Sequence, residues 1–264
     1  MSRNRSPVSD DRGVSEVVGY VLIISLVITT VGVVSVSGVS VLQDAREAEQ
    51  VENAKRAFDL LADNVEDIYR EGAPSRSTEV QLGSAQLVAE RTTTINVSWT
   101  NSTGFRQFQP LEIRSVTYEG DGDDRLIYDA GAVFRLSRPD GEGAVLREPP
   151  LVVTPARTVI ATPQTVGRGT SAISGSTALI RTEILSSSVL ARGTQYANIT
   201  MNVTAPHWRA WRKALDERQN IDCGSGDPAA ERVSCDLLRG IPDPRNSPDV
   251  FYFTQTQIRV ELTR

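Results

Sequence analysis

The chain has 264 residues, 23% of them charged, with a formal net charge of −5 and a sequence pI near 5.1. That balance argues against a large phosphate-binding footprint, which needs clustered positive charge, and no nucleic-acid partner is evident. One histidine and two cysteines fall short of the ligand count of a structural zinc site.

The first stretch, Met1 to Gly13, is polar, with Arg3, Arg5 and Arg12 set against Asp10 and Asp11. It reads as a processed leader rather than a folded piece. From Val17 to Gln43 no charge occurs. About 27 residues at ~1.5 Å each give a helix of ~40 Å, more than a ~30 Å hydrocarbon core requires. An ordinary secretory signal competes, and Gly38-Val39-Ser40 imitates its cut site. Its apolar region, however, is normally only about 7 to 15 residues long. Ser25, Thr29 and Gly32 fall on one stripe of the span. Small residues there let helices approach closely in lipid, though a generic single-pass anchor could carry them incidentally.

From Asp44 the pattern becomes amphipathic. Val51, Ala54, Phe58, Leu61, Val65 and Ile68 recur at steps of three and four, the seam of a helix that packs on something. No proline lies between Pro7 and Pro74, so the pattern predicts one helix from about Ser15 to Glu71, stopped by Gly72.

The stretch resembles the N-terminus of archaeal type IV pilins, haloarchaeal pilin-like proteins in particular. Arg12-Gly13 precedes Val14-Ser15-Glu16-Val17-Val18-Gly19, and the apolar run comes next. The resemblance implies that a prepilin peptidase cuts between Gly13 and Val14 on the cytoplasmic side. It also implies a single-pass protein of the cytoplasmic membrane, N-terminus inside and head outside, with other pilin-like subunits and the pilus assembly machinery as partners. Glu16, Ser25, Thr29 and Gly32 would be the helix-assembly positions. Glu16 would be the third mature residue, whereas bacterial pilins carry a glutamate at the fifth. Lys55 and Lys213 are the only lysines, and an acidic, lysine-poor chain also resembles haloarchaeal proteins.

The remainder reads as short β-branched runs broken by turns. Strands are expected over Glu79–Glu90, Arg91–Trp99, Leu111–Tyr118, Arg125–Tyr128, Ala132–Arg138, Gly143–Arg147, Arg157–Thr162, Ser176–Leu185 and Gln195–Thr204, with a Gly/Ser/Thr-rich loop at Gly167–Gly175. Ile258, Val260 and Leu262 alternate with polar residues in a last strand. Pro206–Asn220 is the one helical stretch, with Trp208, Trp211 and Leu215 on one stripe as core; stacking on carbohydrate is the alternative role for the tryptophans. The expected class is α+β, a long N-terminal helix packed on a mostly antiparallel β-rich head. Its expected divisions are a leader at 1–13, a transmembrane and polymerisation helix at 14–43, its amphipathic half at 44–72, and an extracellular head at 73–264.

No Gly-rich phosphate loop and no Gly-x-Ser-x-Gly elbow occur. His207, between Pro206 and Trp208, reads as a structural histidine at a helix start rather than a catalytic base. The Asp/Gly run Glu119–Asp124 lacks the later glutamate of an EF-hand and reads as a solvated turn. No enzyme activity, cofactor or metal is expected. Outside the cell Cys223 and Cys235 would close a loop by a disulfide; two free buried thiols are the alternative. Asn96, Asn101, Asn198 and Asn202 each begin an Asn-x-Ser/Thr acceptor for glycan, and the alternation puts Asn96, Asn198 and Asn202 on outward strand faces, where a plain polar face would read the same. The expectation is a pilin-like subunit of a surface filament. The alternative is an anchored extracellular binding domain that does not polymerise.

Overall fold

The computed structural model describes residues 11–101, 104–107, 110–120, 124–137, 143–168, 171–194, 196–238 and 247–264, with side chains described at all of these but 11–16, 36–44 and 105–107. Strand outweighs helix, 53% against 26%, and the class is α+β. Chain contacts divide it into two compact units, Met1–Ala48 and Glu49–Arg264.

Helix α1 spans Asp11–Glu66 and ends in one π-type turn at Asp67–Glu71. Gly72 then takes a left-handed φ of 74°, and its N–H bonds back to the Asp67 carbonyl. Only a residue without a Cβ adopts that conformation at no cost, and Pro74 prevents the helix from resuming. In the first unit Val17–Ser35 has a mean hydropathy of 2.6 and none of it is buried. Its two threonine hydroxyls bond their own helix: Thr29 Oγ1 donates to the Ser25 carbonyl and Thr30 Oγ1 to that of Leu26, both at 2.7 Å.

In the second unit the helix opens the core. Ala54, Phe58, Leu61, Val65 and Ile68 are all buried, Phe58 completely. Strands come in this order: β1 Ser75–Gln81, β2 Gln86–Asn101, β3 Gly104–Gln107, β4 Leu111–Glu119, β5 Arg125–Asp129, β6 Ala132–Leu136, β7 Ala144–Arg147, β8 Leu151–Val153, β9 Arg157–Val166, β10 Ser171–Ser174, β11 Thr177–Gly193 and β12 Ala197–Thr204. Helix α2 is Trp208–Asp216, and β13 Ile221–Cys223, β14 Arg232–Leu237 and β15 Val250–Thr263 complete the described chain.

One sheet runs β13-β14-β12-β2-β4-β5-β6-β7, with β10 and β3 also on β2; the other runs β1-β11-β15-β9-β8. Every pairing is antiparallel except β15 with β9. Consecutive residues of a strand point to opposite faces, and the larger sheet buries both. Leu126, Tyr128 and Val133 join the core that holds Phe58 and Leu61. Ile127, Ala132, Phe134 and Leu136 join the core that holds Trp208 and Trp211. That is why the run from Leu126 to Leu136 is nearly continuously apolar.

Several details differ from the sequence reading, and β8, β13 and β14 and the run of β11 beyond Leu185 to Gly193 were not expected. The break expected between Glu90 and Arg91 is a bulge inside β2, where the register against β4 slips between Arg91 and Thr93. The true turn is at Gly83-Ser84. The Gly167–Gly175 loop contains β10, paired with β2. Strand β9 continues through Pro163, which a strand tolerates where no neighbour needs its N–H: β8 pairs only with Thr158–Ile160.

Candidate functional site

Three groups of residues bear on function, and each is built locally. The first lies on α1. Gly13 and Val14 fall in its first turn and Glu16 lies just beyond, but their side chains, like residues 1–10 of the expected leader, lie outside the described residues. Ser25, Thr29 and Gly32 sit one helical turn apart in Val17–Ser35. A Cβ added at Gly32 would meet nothing within 4 Å. The stripe is therefore an open face with no partner inside the described part of the chain.

The second group is the outer face of β2, β12 and β14. Asn202 stands directly opposite Asn96 on β2 and opposite Ser234 on β14. Both asparagines are half-buried, Asn202 in regular ladder with strands on either side and Asn96 paired to β12. Asn198 differs. It is exposed, has a left-handed φ of 48°, and sits where the β12 register against β2 slips between Ala197 and Thr200. Its Nδ2 donates to Thr100 Oγ1 at 3.1 Å, and Thr200 Oγ1 donates to Asp236 Oδ1 at 3.0 Å. Asn101 ends β2, but Ser102 and Thr103 of its acceptor triplet lie outside the described residues. The face thus gathers three of the four sequons that lie beyond the expected leader. The disulfide joins Cys223 of β13 to Cys235 of β14 beside it, with the Cα atoms 4.0 Å apart.

The third group was not legible in the sequence. Asp129, fully buried at the end of β5, accepts three hydrogen bonds on Oδ2. They come from Thr93 Oγ1 at 2.5 Å, His207 Nε2 at 2.8 Å and Trp211 Nε1 at 2.9 Å. Ala130 and Gly131 have φ of 48° and 89° and form the turn that joins β5 to β6. The hairpin fixes Asp129 under α2, and His207 stands at that helix's first turn. The arrangement is not a hydrolytic triad, because Thr93 bonds the carboxylate and not the imidazole. It is an anchor. One carboxylate ties α2 to β2 and β5 inside an aromatic shell, with Phe134 5.6 Å from the His207 ring and 5.3 Å from that of Trp211. Burial pushes the neighbouring Tyr128 phenol well above its ordinary range.

Among the described residues no group of three or more His, Cys, Asp or Glu is placed to hold a metal ion. Asp121 and Asp123 of the Asp/Gly turn lie outside the described residues, while Asp124 pairs with Arg135. That hydrogen bond holds the Asp124 carboxyl below its ordinary range. One cleft of about 560 Å³ is bordered by charged side chains, Arg114, Arg168, Arg259 and Glu261.

These features define a class: a chain with one apolar N-terminal helix long enough to cross a membrane, and after it a disulfide-bonded β-rich unit. The chain belongs to a family of unknown function, DUF7289, whose model matches residues 12–261. No curated protein and no solved structure matches it.

Proposed function

We propose that this protein is a type IV pilin-like surface protein, held in the cytoplasmic membrane by Val17–Ser35 and serving as a structural or minor subunit of a cell-surface filament. The observation that carries this is the use of α1. Its apolar part keeps no partner within the described chain, whereas Ala54–Ile68 is built into the β-rich core. A mere export signal would not need the head to fold around the helix that continues from it. In this reading the prepilin peptidase removes the leader between Gly13 and Val14, the N-terminus stays inside and the head is outside. Neighbouring subunits then meet along Glu16, Ser25, Thr29 and Gly32, and extraction by the pilus assembly machinery buries that stripe. The polar face bearing Asn96, Asn198 and Asn202 accepts glycan at one or more positions, Asn198 being the most accessible.

The deciding measurement is the intact mass of the protein extracted from membranes. A mature chain beginning at Val14 is expected, and Gly13→Phe should leave the precursor uncut. A mature N-terminus near Ser40 would replace the pilin reading with ordinary secretion. Gly32→Leu should reduce crosslinking between subunits while leaving insertion and processing intact. Unchanged crosslinking, with no higher assembly in the parent, would leave a monomeric anchored binding domain.

A further inference from the structure

Strand edges in this molecule are mostly blunted. On β1, Glu79 alternates with the buried Thr78 and Val80, and Arg76 pairs with Asp67. The free flank of β9 carries Pro163, and its Gln164 and Thr165 side chains bond the Glu112 and Arg114 carbonyls at 2.9 and 2.6 Å. Strands β7, β8 and β13 are only three or four residues long. Short strands, proline and charge are the usual protections of an edge.

The second half of β11 has none of these. Strand β1 pairs only with Thr177–Glu183, and the Ile184 amide bonds the Pro74 carbonyl at 3.0 Å. From Leu185 to Gly193 no described strand covers that flank, although the other flank pairs with β15 throughout. The segment Ile184-Leu185-Ser186-Ser187-Ser188-Val189-Leu190 carries no charge. Val189 is 61% exposed and Leu185 42%, which makes Val189 the most exposed large apolar residue of the second unit among those described.

We propose that a second copy of this chain covers this edge, its own β11 running antiparallel about a two-fold axis at Ser187. An axis perpendicular to an antiparallel pair sets each residue opposite the one equally far beyond the centre. Centred on Ser187, Leu185 meets the second copy's Val189, and Ile184 meets its Leu190. Ser186 faces its Ser188, and the two Ser187 residues face each other. Centring on Ser186 or Ser188 instead sets serine against Leu185 and Ile184, or against Val189 and Leu190. Only one register therefore matches apolar with apolar on both sides, and cross-strand apolar pairs are what stabilise such a ladder. The segment is self-complementary, as a two-fold contact requires. Against β15 the ladder is regular only over Ser186–Val189, and the register slips at Leu185 and Leu190, so the outer apolar pairs flank that window rather than lie inside it. The contact closes at two copies. It is separate from the helix-to-helix contacts of a filament and does not depend on them.

The test uses the full chain in detergent. Opposed Cβ atoms across an antiparallel pair lie about 4.5–5.5 Å apart, so Ser187→Cys places two thiols within reach of a short bifunctional thiol reagent. Expected is a covalent species of twice the mass of the chain in the preparation, 28.8 kDa each where the leader is uncut. Val152→Cys, similarly exposed on β8, should give at least tenfold less. Adding Val189→Lys to Ser187→Cys should lower dimer yield at least tenfold without shifting the melting temperature, whereas adding Gly32→Leu should leave the yield unchanged. The proposal is overturned if Ser187→Cys yields no more dimer than Val152→Cys, or if Val189→Lys leaves the yield intact. A crosslinked product of any other mass would assign the edge to a different partner and overturn it equally.

Discussion

Two lengths of α1 use the same backbone for opposite ends. In Val17–Ser35 the apolar residues lie all round the helix and nothing in the described chain covers them. In Ala54–Ile68 they gather on one buried stripe, with Leu60 the one large apolar residue left exposed. The other side of this second length is acidic, and Asp59, Asp63 and Glu66 converge on Arg147 of β7. The lesson is that apolar content does not say where a helix belongs. Its distribution does: an all-round pattern needs an apolar solvent, and a stripe needs a protein core.

The sharpest way to break this comparison is to truncate one residue from each length. Phe58→Ala should cost about 3–5 kcal/mol in denaturant unfolding of the β-rich unit, the range for a buried aromatic. Ile28→Ala should leave that transition in place. Equal losses from the two variants would mean that Val17–Ser35 belongs to the same core after all.

Next in size is the disulfide. Replacing Cys223 and Cys235 together with serine should cost about 3 kcal/mol, the scale for closing a loop of this length. Calorimetry of the variant should match that of the parent under reductant. A variant as stable as the oxidised parent would make the bridge incidental.

A smaller loss is expected at the acidic side. The Arg147 guanidinium loses charge stabilisation by burial, but hydrogen bonds to Asp63 and Glu66 outweigh this and hold its pKa above the ordinary value. Asp59 and Asp63 are exposed and Glu66 is part-buried, so Arg147→Met should cost about 1 kcal/mol. The loss should shrink as salt is raised; a salt-independent loss of several kcal/mol would show that packing against the helix, not charge, is what Arg147 supplies.

The smallest effect concerns pH. Arg135 holds Asp124 below the ordinary carboxylate value of 3.8, so the carboxylate contributes stability that is fully present above that value. It is lost as pH falls through the lowered folded value. Asp124→Asn should flatten that part of the acid limb of the stability profile and leave the neutral limb's shape unchanged. An unaltered acid limb would remove the pair from the stability account.

Legibility tracked periodicity. The helix, its seam and the Trp208–Trp211 stripe could be read because each repeats every three or four residues. Gln195–Thr204 could be read because it alternates, and Leu111–Tyr118 because a turn-like Asp/Gly run follows it. The bulge at Arg91–Thr93 could not, since a charged pair in a strand looks like a turn until a partner strand is known. Strands β13 and β14 lie in a polar Gly/Pro/Asp segment and are held by pairing and the disulfide rather than by propensity. Asp129 was invisible for a similar reason. Its partners Thr93, His207 and Trp211 come from distant parts of the chain, and only the fold brings them to one oxygen.

Strand β15 stands between β11 and β9, the middle position of its sheet, yet it comes after both in sequence. During synthesis the two flanking strands emerge with no partner for the edges that β15 will occupy. Residues 157–193 must wait in an open, sticky state until Val250–Thr263 arrives. Such non-local pairing makes folding slow, and the waiting intermediate is the one most exposed to aggregation. A chain halted before Val250 would not be a slightly shortened version of this protein. It would be two strand pairs without the strand that makes them a sheet.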